Sequence, residues 1–343
     1  MATSSPNVGK TTDDQTNAAA RRQAGEFVRG VSTARDWIGT TRFPAEKGRY
    51  HLYVAYNCPW CHRVLLGRAI MGLTAAITVD VLYPNRSEDD EPRGGNLWKF
   101  CPKGQVGRNG KHVQFPSCTE DTVLGKKYVK EVYEDCGILD QKSVPILYDK
   151  KAKTVVNNES AEILRMFGTV MAPLSEGTSV GSLYPEDLAK EIDELNDWIY
   201  TDIANGSYKA GFSSNQEVYE KAYHNFFAAL DRLDTLLAHR EFVAGDRVTE
   251  ADVRLFPPLF RLDPVYSIRF QLNARPLWSY PNLWRWMGSM MALPGVDAVA
   301  NVEYMDHCKQ GYFGRTGSGT VPFGPVGYPE CYQRPPPYTS SSS

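Results

Sequence analysis

Apolar side chains recur along the chain at two spacings, and the change of spacing divides it. Tyr50 to Ala55 is an apolar alternating run, which predicts a strand. Val64 to Met71 carries apolar residues at helical spacing, and Ile77 to Leu82 is β-branched and apolar, a second and buried strand. Strand, helix and strand with a crossover of this length predict a parallel pair. Residues 84–119 break the pattern. They are polar and glycine-rich, with Trp98, Phe100 and Phe115 as isolated aromatics. Long loops of this kind in a compact domain are usually functional or disordered. Glu120 to Cys136 resumes a helical pattern. Ser143-Val-Pro-Ile-Leu-Tyr148 reads as a short strand with a proline inside. Proline cannot donate to a ladder, so an edge position or a cis bond at a site is expected. Lys150 to Lys153 then turns a hairpin into Thr154-Val-Val156, and Asn157-Asn-Glu-Ser160 opens a helix to about Phe167. The order is βαβ–αββα.

Beyond residue 167 the strand period is gone. Residues 168–184 contain Gly, Ser and Pro and read as a linker. From Pro185 the pattern is helical, with Leu188, Ile192, Leu195 and Ile199 three and four apart, and Val218 to Leu237 repeats it. Thr249-Glu-Ala-Asp252 before an apolar run resembles a capping box and reads as a structural cap. Pro281 to Met291 is a further helix. The segment from Gly311 is Gly/Pro-rich and ends in serines, which reads as a disordered tail. The predicted organisation is an extension over 1–48, an α/β domain over 49–167, the linker, an all-α domain over 185–310 and a tail over 311–343.

A length of 343 residues suits about two domains with ample core. Lys and Arg number 38 against 40 Asp and Glu, a net charge of −2, so no nucleic-acid or anionic-membrane partner is expected. No stretch approaches the length of a membrane-spanning helix. Seven cysteines at irregular spacing, without a secretory signal, read as a reduced, intracellular set, and the expected location is cytoplasmic. The Ser/Thr-rich N-terminus carries Arg21 and Arg22 but also Asp13 and Asp14, so an organelle transit peptide stays open.

The chemistry centres on Cys58-Pro-Trp-Cys61, placed where a strand turns into a helix. Pro59 suits the first helical position, where its missing N–H would have been unpaired. Free N–H groups and the helix dipole at that end favour a thiolate at Cys58. Cys-x-x-Cys in this setting reads as thioredoxin-like redox chemistry. Two buried thiols or half a zinc site are the other readings of the pair, but no second Cys-x-x-Cys or His pair follows at ligand spacing for zinc. No metal is expected.

Taken together, the chain resembles the glutathione transferase fold, an α/β thioredoxin-like N-terminal domain plus an all-α C-terminal domain. It resembles most the Xi class, the glutathionyl-hydroquinone reductases. The likeness covers roughly residues 36 to 327. It rests on Cys58-Pro-Trp-Cys-His-Arg63, Val144-Pro-Ile-Leu-Tyr-Asp149, Val156-Asn-Asn-Glu-Ser160, Asn205-Gly-Ser-Tyr-Lys-Ala-Gly-Phe212, Leu262-Asp-Pro-Val-Tyr266 and Tyr280-Pro-Asn-Leu283. The Tyr-Lys-Ala-Gly-Phe and Asp-Pro-Val-Tyr blocks are specific to that class. Two positions depart from it: Cys61 stands where many relatives have Ala, and Gly311 precedes Tyr312 where a His-Tyr pair is usual.

The resemblance implies glutathione as co-substrate, aromatic glutathione conjugates as substrates, and a homodimer. Glu159 and Ser160 would hold the γ-glutamyl end at a helix start. Val144, before a cis Pro145, would pair with the cysteinyl amide like an added strand. Trp98 would close over glutathione, with Lys142 and Arg108 as candidates for the glycyl carboxylate. Cys58 would attack the sulfur of a glutathionyl-hydroquinone, with Tyr208 and Tyr312 donating to the oxygen that gains charge. An omega-type or glutaredoxin-like thioltransferase, or a dehydroascorbate reductase, is the rival enzyme. A non-catalytic module of the same fold is the rival outside enzymes.

Overall fold

The structure, a computed structural model, describes residues 21–88 and 95–334. Its first domain is a four-stranded sheet. β1 (Tyr50–Val54) pairs in parallel with β2 (Ile77–Val81) and antiparallel with β3 (Ile146–Asp149), and β4 (Thr154–Asn157) closes the order β2-β1-β3-β4. All five residues of β1 are buried, because both faces of this central strand are covered. On one side, α1 (Pro59–Ile70) crosses α3 (Ser160–Gly168) so closely that a Cβ on Gly67 would lie 2.3 Å from Leu164 Cδ1. On the other, Tyr53 meets Phe100 edge-on at 5.8 Å and donates its hydroxyl to Asp121 at 2.9 Å. The aromatics that stood alone in the 84–119 stretch are core: Trp98, Phe100 and Phe115 are buried.

Three expectations change here. The helix read over Glu120 to Cys136 is only α2 (Val129–Asp135). The buried Asp121 carboxylate accepts the backbone N–H groups of Val123, Leu124 and Lys126, and Gly125 adopts φ +68°. Side-chain acceptance of those donors holds a turn where apolar spacing suggested helix. Pro145 lies just before β3, which is an interior strand, so of the two proline alternatives the edge position does not apply; the Val144–Pro145 bond is cis. The extension is not separate from the sheet: Arg35 bridges antiparallel to Asn157 on β4, and Asp36 N–H donates to Val156 at 2.9 Å. That covers an edge that would otherwise be open.

The second domain is helical. α4 (Ala189–Trp198) continues through a π turn (Ile199–Ala204) into α5 (Gly206–Gly211), followed by α6 (Gln216–Leu237), α7 (Glu250–Phe260), α8 (Pro281–Met291) and α9 (Val302–Phe313). Asp252 is the structural cap of α7: it accepts from Thr249 N–H, Val243 N–H and the Trp286 indole. α7 packs on α1, and one continuous apolar core spans both domains. Fully buried Glu250 ties them further, taking Arg165 of α3 at 2.6 and 2.7 Å and Arg254 at 2.8 Å.

α9 runs across residue 310, where the helical domain was expected to end. Asn301 caps it through Tyr304 N–H at 3.0 Å, and Tyr304, Met305, Cys308 and Phe313 bury one face. The tail is packed as far as Arg334: Tyr332 is buried, Trp284 donates to the Arg334 carbonyl at 2.7 Å, and Tyr328 donates to Asp263 at 2.5 Å. The serine end of the tail and residues 1–20 lie outside the described residues. Among the described residues, no helix is long and apolar enough to cross a membrane.

Candidate active site

Cys58 sits at the N-cap of α1 with extended backbone (φ −79°, ψ 119°), and Pro59 opens the helix. The turn is closed by Cys58 N–H to Ala55 at 3.0 Å and His62 N–H to the Cys58 carbonyl at 3.0 Å. Burial opposes ionisation of Cys58. The Cys61 thiol, the N–H groups of Cys61 and Trp60, and the charge of Arg261 outweigh it and pull the pKa down to about 6. Cys61, one turn in, is fully buried and accepts Ala55 N–H at 3.4 Å. Burial first, then the adjacent Cys58 sulfur, pushes its pKa well above that of an ordinary thiol. The pair is therefore one thiolate and one thiol.

Arg261 supports this from behind. It is fully buried, and among the described residues no carboxylate pairs with it. It donates to the Tyr56 and Pro257 carbonyls at 2.8 and 2.9 Å and meets His62 Nδ1 at 2.8 Å. Burial, then the Arg261 charge, keeps His62 neutral, so Nδ1 is the acceptor. A fixed positive charge thus braces the turn that carries Cys58.

Along one side of the sulfur lies Val144, whose carbonyl is 3.8 Å from Cys58 Sγ. Glu159 is the N-cap of α3; one carboxylate oxygen accepts Ala161 N–H at 3.1 Å and the other accepts the Ser32 hydroxyl at 3.2 Å. Ser160 is buried and accepts from Arg63 Nη1 at 3.3 Å. Burial holds the Arg63 pKa down to about 9. Trp98 is buried with the Arg86 guanidinium 4.5 Å above its ring. The other two candidates make no contact with these side chains among the described residues. Lys142 is exposed and makes no ion pair with a described residue; Arg108 is exposed and bonds Glu88 at 2.8 Å. Arg86 is the loop guanidinium that feels the Cys58 thiolate and the phenols of Tyr208 and Tyr312, although burial is the largest influence on it and lowers its pKa.

The helical domain contributes the phenols. Tyr208 of α5 and Tyr312 of α9 share a hydrogen bond at 2.6 Å, and Tyr266 reaches the Tyr312 hydroxyl at 3.5 Å. Burial and the Cys58 thiolate raise the Tyr208 pKa, against the Arg29 charge and the Tyr312 bond; burial also raises Tyr312. Both stay protonated near neutrality. In such a pair one hydroxyl donates to the other, and the acceptor's own proton is free for a third oxygen. Gly311 now has a reason. A Cβ there would lie 2.2 Å from Asn57 Nδ2, so with Asn57 in this position glycine lets α9 pass close to the Cys58 turn and deliver Tyr312, and a larger residue would need Asn57 to move.

Several residues here were not singled out in the sequence. Tyr266 lay inside the Asp-Pro-Val-Tyr block, which was a signal, but no role was attached to it. Arg63 lay inside the Cys58 block. Arg261 and Arg29 carried none: one ends a helix, and the other is in an extension without periodicity.

A family model for the glutathione S-transferase N-terminal domain matches residues 57–170, and one for the C-terminal domain matches residues 216–289. The chain is 38% identical over 300 residues to the glutathionyl-hydroquinone reductase YqjG of Escherichia coli, covering 84% of each chain. It is 37% identical over 312 residues to the glutathionyl-hydroquinone reductase PcpF of Sphingobium chlorophenolicum, covering 89% of this chain and 92% of that one. In structure it is similar to the glutathione S-transferase Xi of Phanerochaete chrysosporium, with a TM-score of 0.78 at 38% identity over 89% and 94% of the two chains. It is similar also to the glutathione-bound form of YqjG, with a TM-score of 0.76 at 35% identity over 91% and 98%.

Proposed function

The chain belongs to the Xi class of glutathione transferases, the glutathionyl-hydroquinone reductases, and from that we propose that it reduces glutathionyl-hydroquinones to hydroquinones at the expense of glutathione. The observation that carries this is a lone thiolate at a helix N-cap in the same site as a hydrogen-bonded pair of protonated phenols. A thiol–disulfide oxidoreductase needs the first; only a reaction that builds charge on a substrate oxygen needs the second.

The γ-glutamyl end of glutathione fits the start of α3, where Glu159 accepts an ammonium and the helix N-terminus with Ser160 receives a carboxylate. Val144 offers backbone to the cysteinyl amide beside Cys58 Sγ. Trp98 supplies a flat apolar cover. Cys58 thiolate attacks the sulfur of the conjugate in its keto tautomer. The S–S bond forms, the ring C–S bond breaks, and its electron pair passes to the carbonyl oxygen as an enolate. The Tyr208–Tyr312 pair donates its one free hydroxyl to that oxygen and passes it the proton that yields hydroquinone, and the thiol proton of the second glutathione restores the phenol. A second glutathione, as thiolate, attacks the Cys58–glutathione disulfide, releases oxidised glutathione and restores the Cys58 thiolate. The sum is one conjugate plus one glutathione giving one hydroquinone plus one oxidised glutathione, with Cys61 unused.

Turnover of glutathionyl-benzohydroquinone, set against a small glutathione mixed disulfide and dehydroascorbate, tests the reading. The hydroquinone conjugate is the best substrate by kcat/KM; preference for either of the others returns the omega-type reading. We also infer a homodimer. Phe323 and Val326 are 88% and 71% exposed, an apolar cost that a second copy would remove. Light scattering at a monomer mass of 38.4 kDa would refute it. The seven cysteines are all free thiols, in keeping with the reducing, cytoplasmic compartment we propose; cell fractionation tests it.

A further inference from the structure

The extension reaches the site. Phe27 lies 5.8 Å from the Tyr208 ring and 5.5 Å from Phe212. The Arg29 guanidinium sits 4.3 Å from the Trp60 ring centre, 4.6 Å from that of Tyr208 and 5.2 Å from that of Phe27. One of its donors is spent: Nε bonds Asn205 Oδ1 at 3.1 Å. Another is not. Arg29 Nη2 is buried and has no hydrogen-bond partner among the described residues, nor does Arg29 make an ion pair there. The neighbouring Trp60 indole N–H is likewise buried and unpartnered.

A buried, unanswered guanidinium N–H is costly, and such groups in a folded protein call for an explanation. Aromatic faces stabilise the cation and hold its plane, but they do not satisfy the in-plane N–H groups. A carboxylate does, and the guanidinium fork suits it. Arg29 and Arg63 both stack on Trp60, at 4.3 and 4.8 Å, and their other partners separate two sources of carboxylate. Arg63, bonded to Ser160, stands at the glutathione end. Arg29 stands on Tyr208, against the wall where the aromatic ring must lie for the phenols to reach its oxygen.

We propose that Arg29 is a specificity-determining residue whose unpartnered Nη2 receives a carboxylate on the substrate ring, so that glutathionyl-dihydroxybenzoates are preferred over unsubstituted glutathionyl-hydroquinones. This rests on the hydroquinone-reductase reading. The extension then acts as part of the substrate site, with Phe27 and Arg29 forming a wall that neither domain supplies.

The test uses the full chain as wild type, Arg29→Gln and Arg29→Lys. Calorimetry measures binding of 2,5-dihydroxybenzoate, hydroquinone and glutathione, none of which needs turnover. Wild type binds the dihydroxybenzoate about tenfold more tightly than hydroquinone, Arg29→Gln loses that margin, and Arg29→Lys keeps part of it. In turnover, the kcat/KM ratio of glutathionyl-2,5-dihydroxybenzoate to glutathionyl-benzohydroquinone falls about tenfold in Arg29→Gln, beyond any loss that the two conjugates share through Tyr208. Equal losses for both conjugates and for glutathione would overturn the proposal and move Arg29 to the glutathione side. A wild-type preference for the neutral ligand would also overturn it. If wild type turns over neither conjugate, the reductase reading fails, and the calorimetric margin alone decides Arg29.

Discussion

Replacing Cys61 with alanine should shift the chemistry of Cys58 in pH while leaving the cycle intact. The Cys61 thiol, one turn along the helix, is among the groups that favour the Cys58 thiolate and bring Cys58 down to about 6. A hydrogen bond to a charged group contributes about 1.5–3 kcal/mol, and a thiol is a weak donor, so the lower end applies. At about 1.4 kcal/mol per tenfold, its loss moves the Cys58 midpoint from about 6 to about 7. The sign follows from the charge: the thiolate is the form the bond favours, so the variant loses thiolate as pH falls. Near pH 7.5 the thiolate fraction drops only from about 97% to about 76%, whereas near pH 5.5 it drops about eightfold. The assay is the rate of iodoacetamide alkylation at Cys58 against pH, read by peptide mass, for wild type and Cys61→Ala. Steady-state hydroquinone reduction should follow the same curve, near wild type above pH 7.5 and impaired below pH 6. An unshifted alkylation profile would show that Cys61 does not act on Cys58. A Cys61→Ala enzyme that stalls as a Cys58–glutathione adduct at saturating glutathione would overturn the one-thiol cycle.

Three further outcomes are expected. Tyr208→Phe lowers hydroquinone reduction about a hundredfold, the cost of one donor to a developing oxyanion, but hardly affects reduction of a glutathione mixed disulfide; equal losses would remove Tyr208 from that role. Gly311→Ala forces a Cβ against buried Asn57 and costs about 1–3 kcal/mol of stability, with a lower kcat because Tyr312 is displaced; an unchanged melting temperature and rate would contradict the close approach. Glu250→Gln leaves Arg165 and Arg254 facing a neutral acceptor inside the domain junction and costs about 3 kcal/mol in urea unfolding, against no change if the junction is held by apolar contacts alone.

What could be read from the chain was what its near neighbours determine. Cys58 at a helix start follows from a strand, a short turn and Pro59, all within ten residues, and Glu159 at the start of α3 follows in the same way. Contacts made across the chain carry no local signal. Tyr208 and Tyr312 meet over 104 residues, and only the resemblance named them together. The helix expected from Glu120 failed because one buried carboxylate, Asp121, takes the N–H groups a helix would use. The domain boundary expected at 310 falls inside α9 because glycine next to a Gly/Pro-rich stretch reads as a stop, whereas Gly311 is there for room beside Asn57. Arg261 and Arg29 look like solvated charges in sequence. Their meaning depends on the burial of Arg261, and of Nη2 of Arg29, without a carboxylate partner among the described residues, which exists only once both domains and the extension have come together.

The central claim is that Cys58 takes the glutathionyl group from carbon-bound sulfur, and a single turnover tests it most directly. Wild-type protein is mixed with glutathionyl-benzohydroquinone in the absence of free glutathione, and intact mass and released hydroquinone are followed together. The account predicts one equivalent of hydroquinone, a mass increase of one glutathionyl group located at Cys58, and loss of that mass as oxidised glutathione when glutathione is added. Hydroquinone released without an adduct, or the same adduct and release in Cys58→Ser, would contradict it.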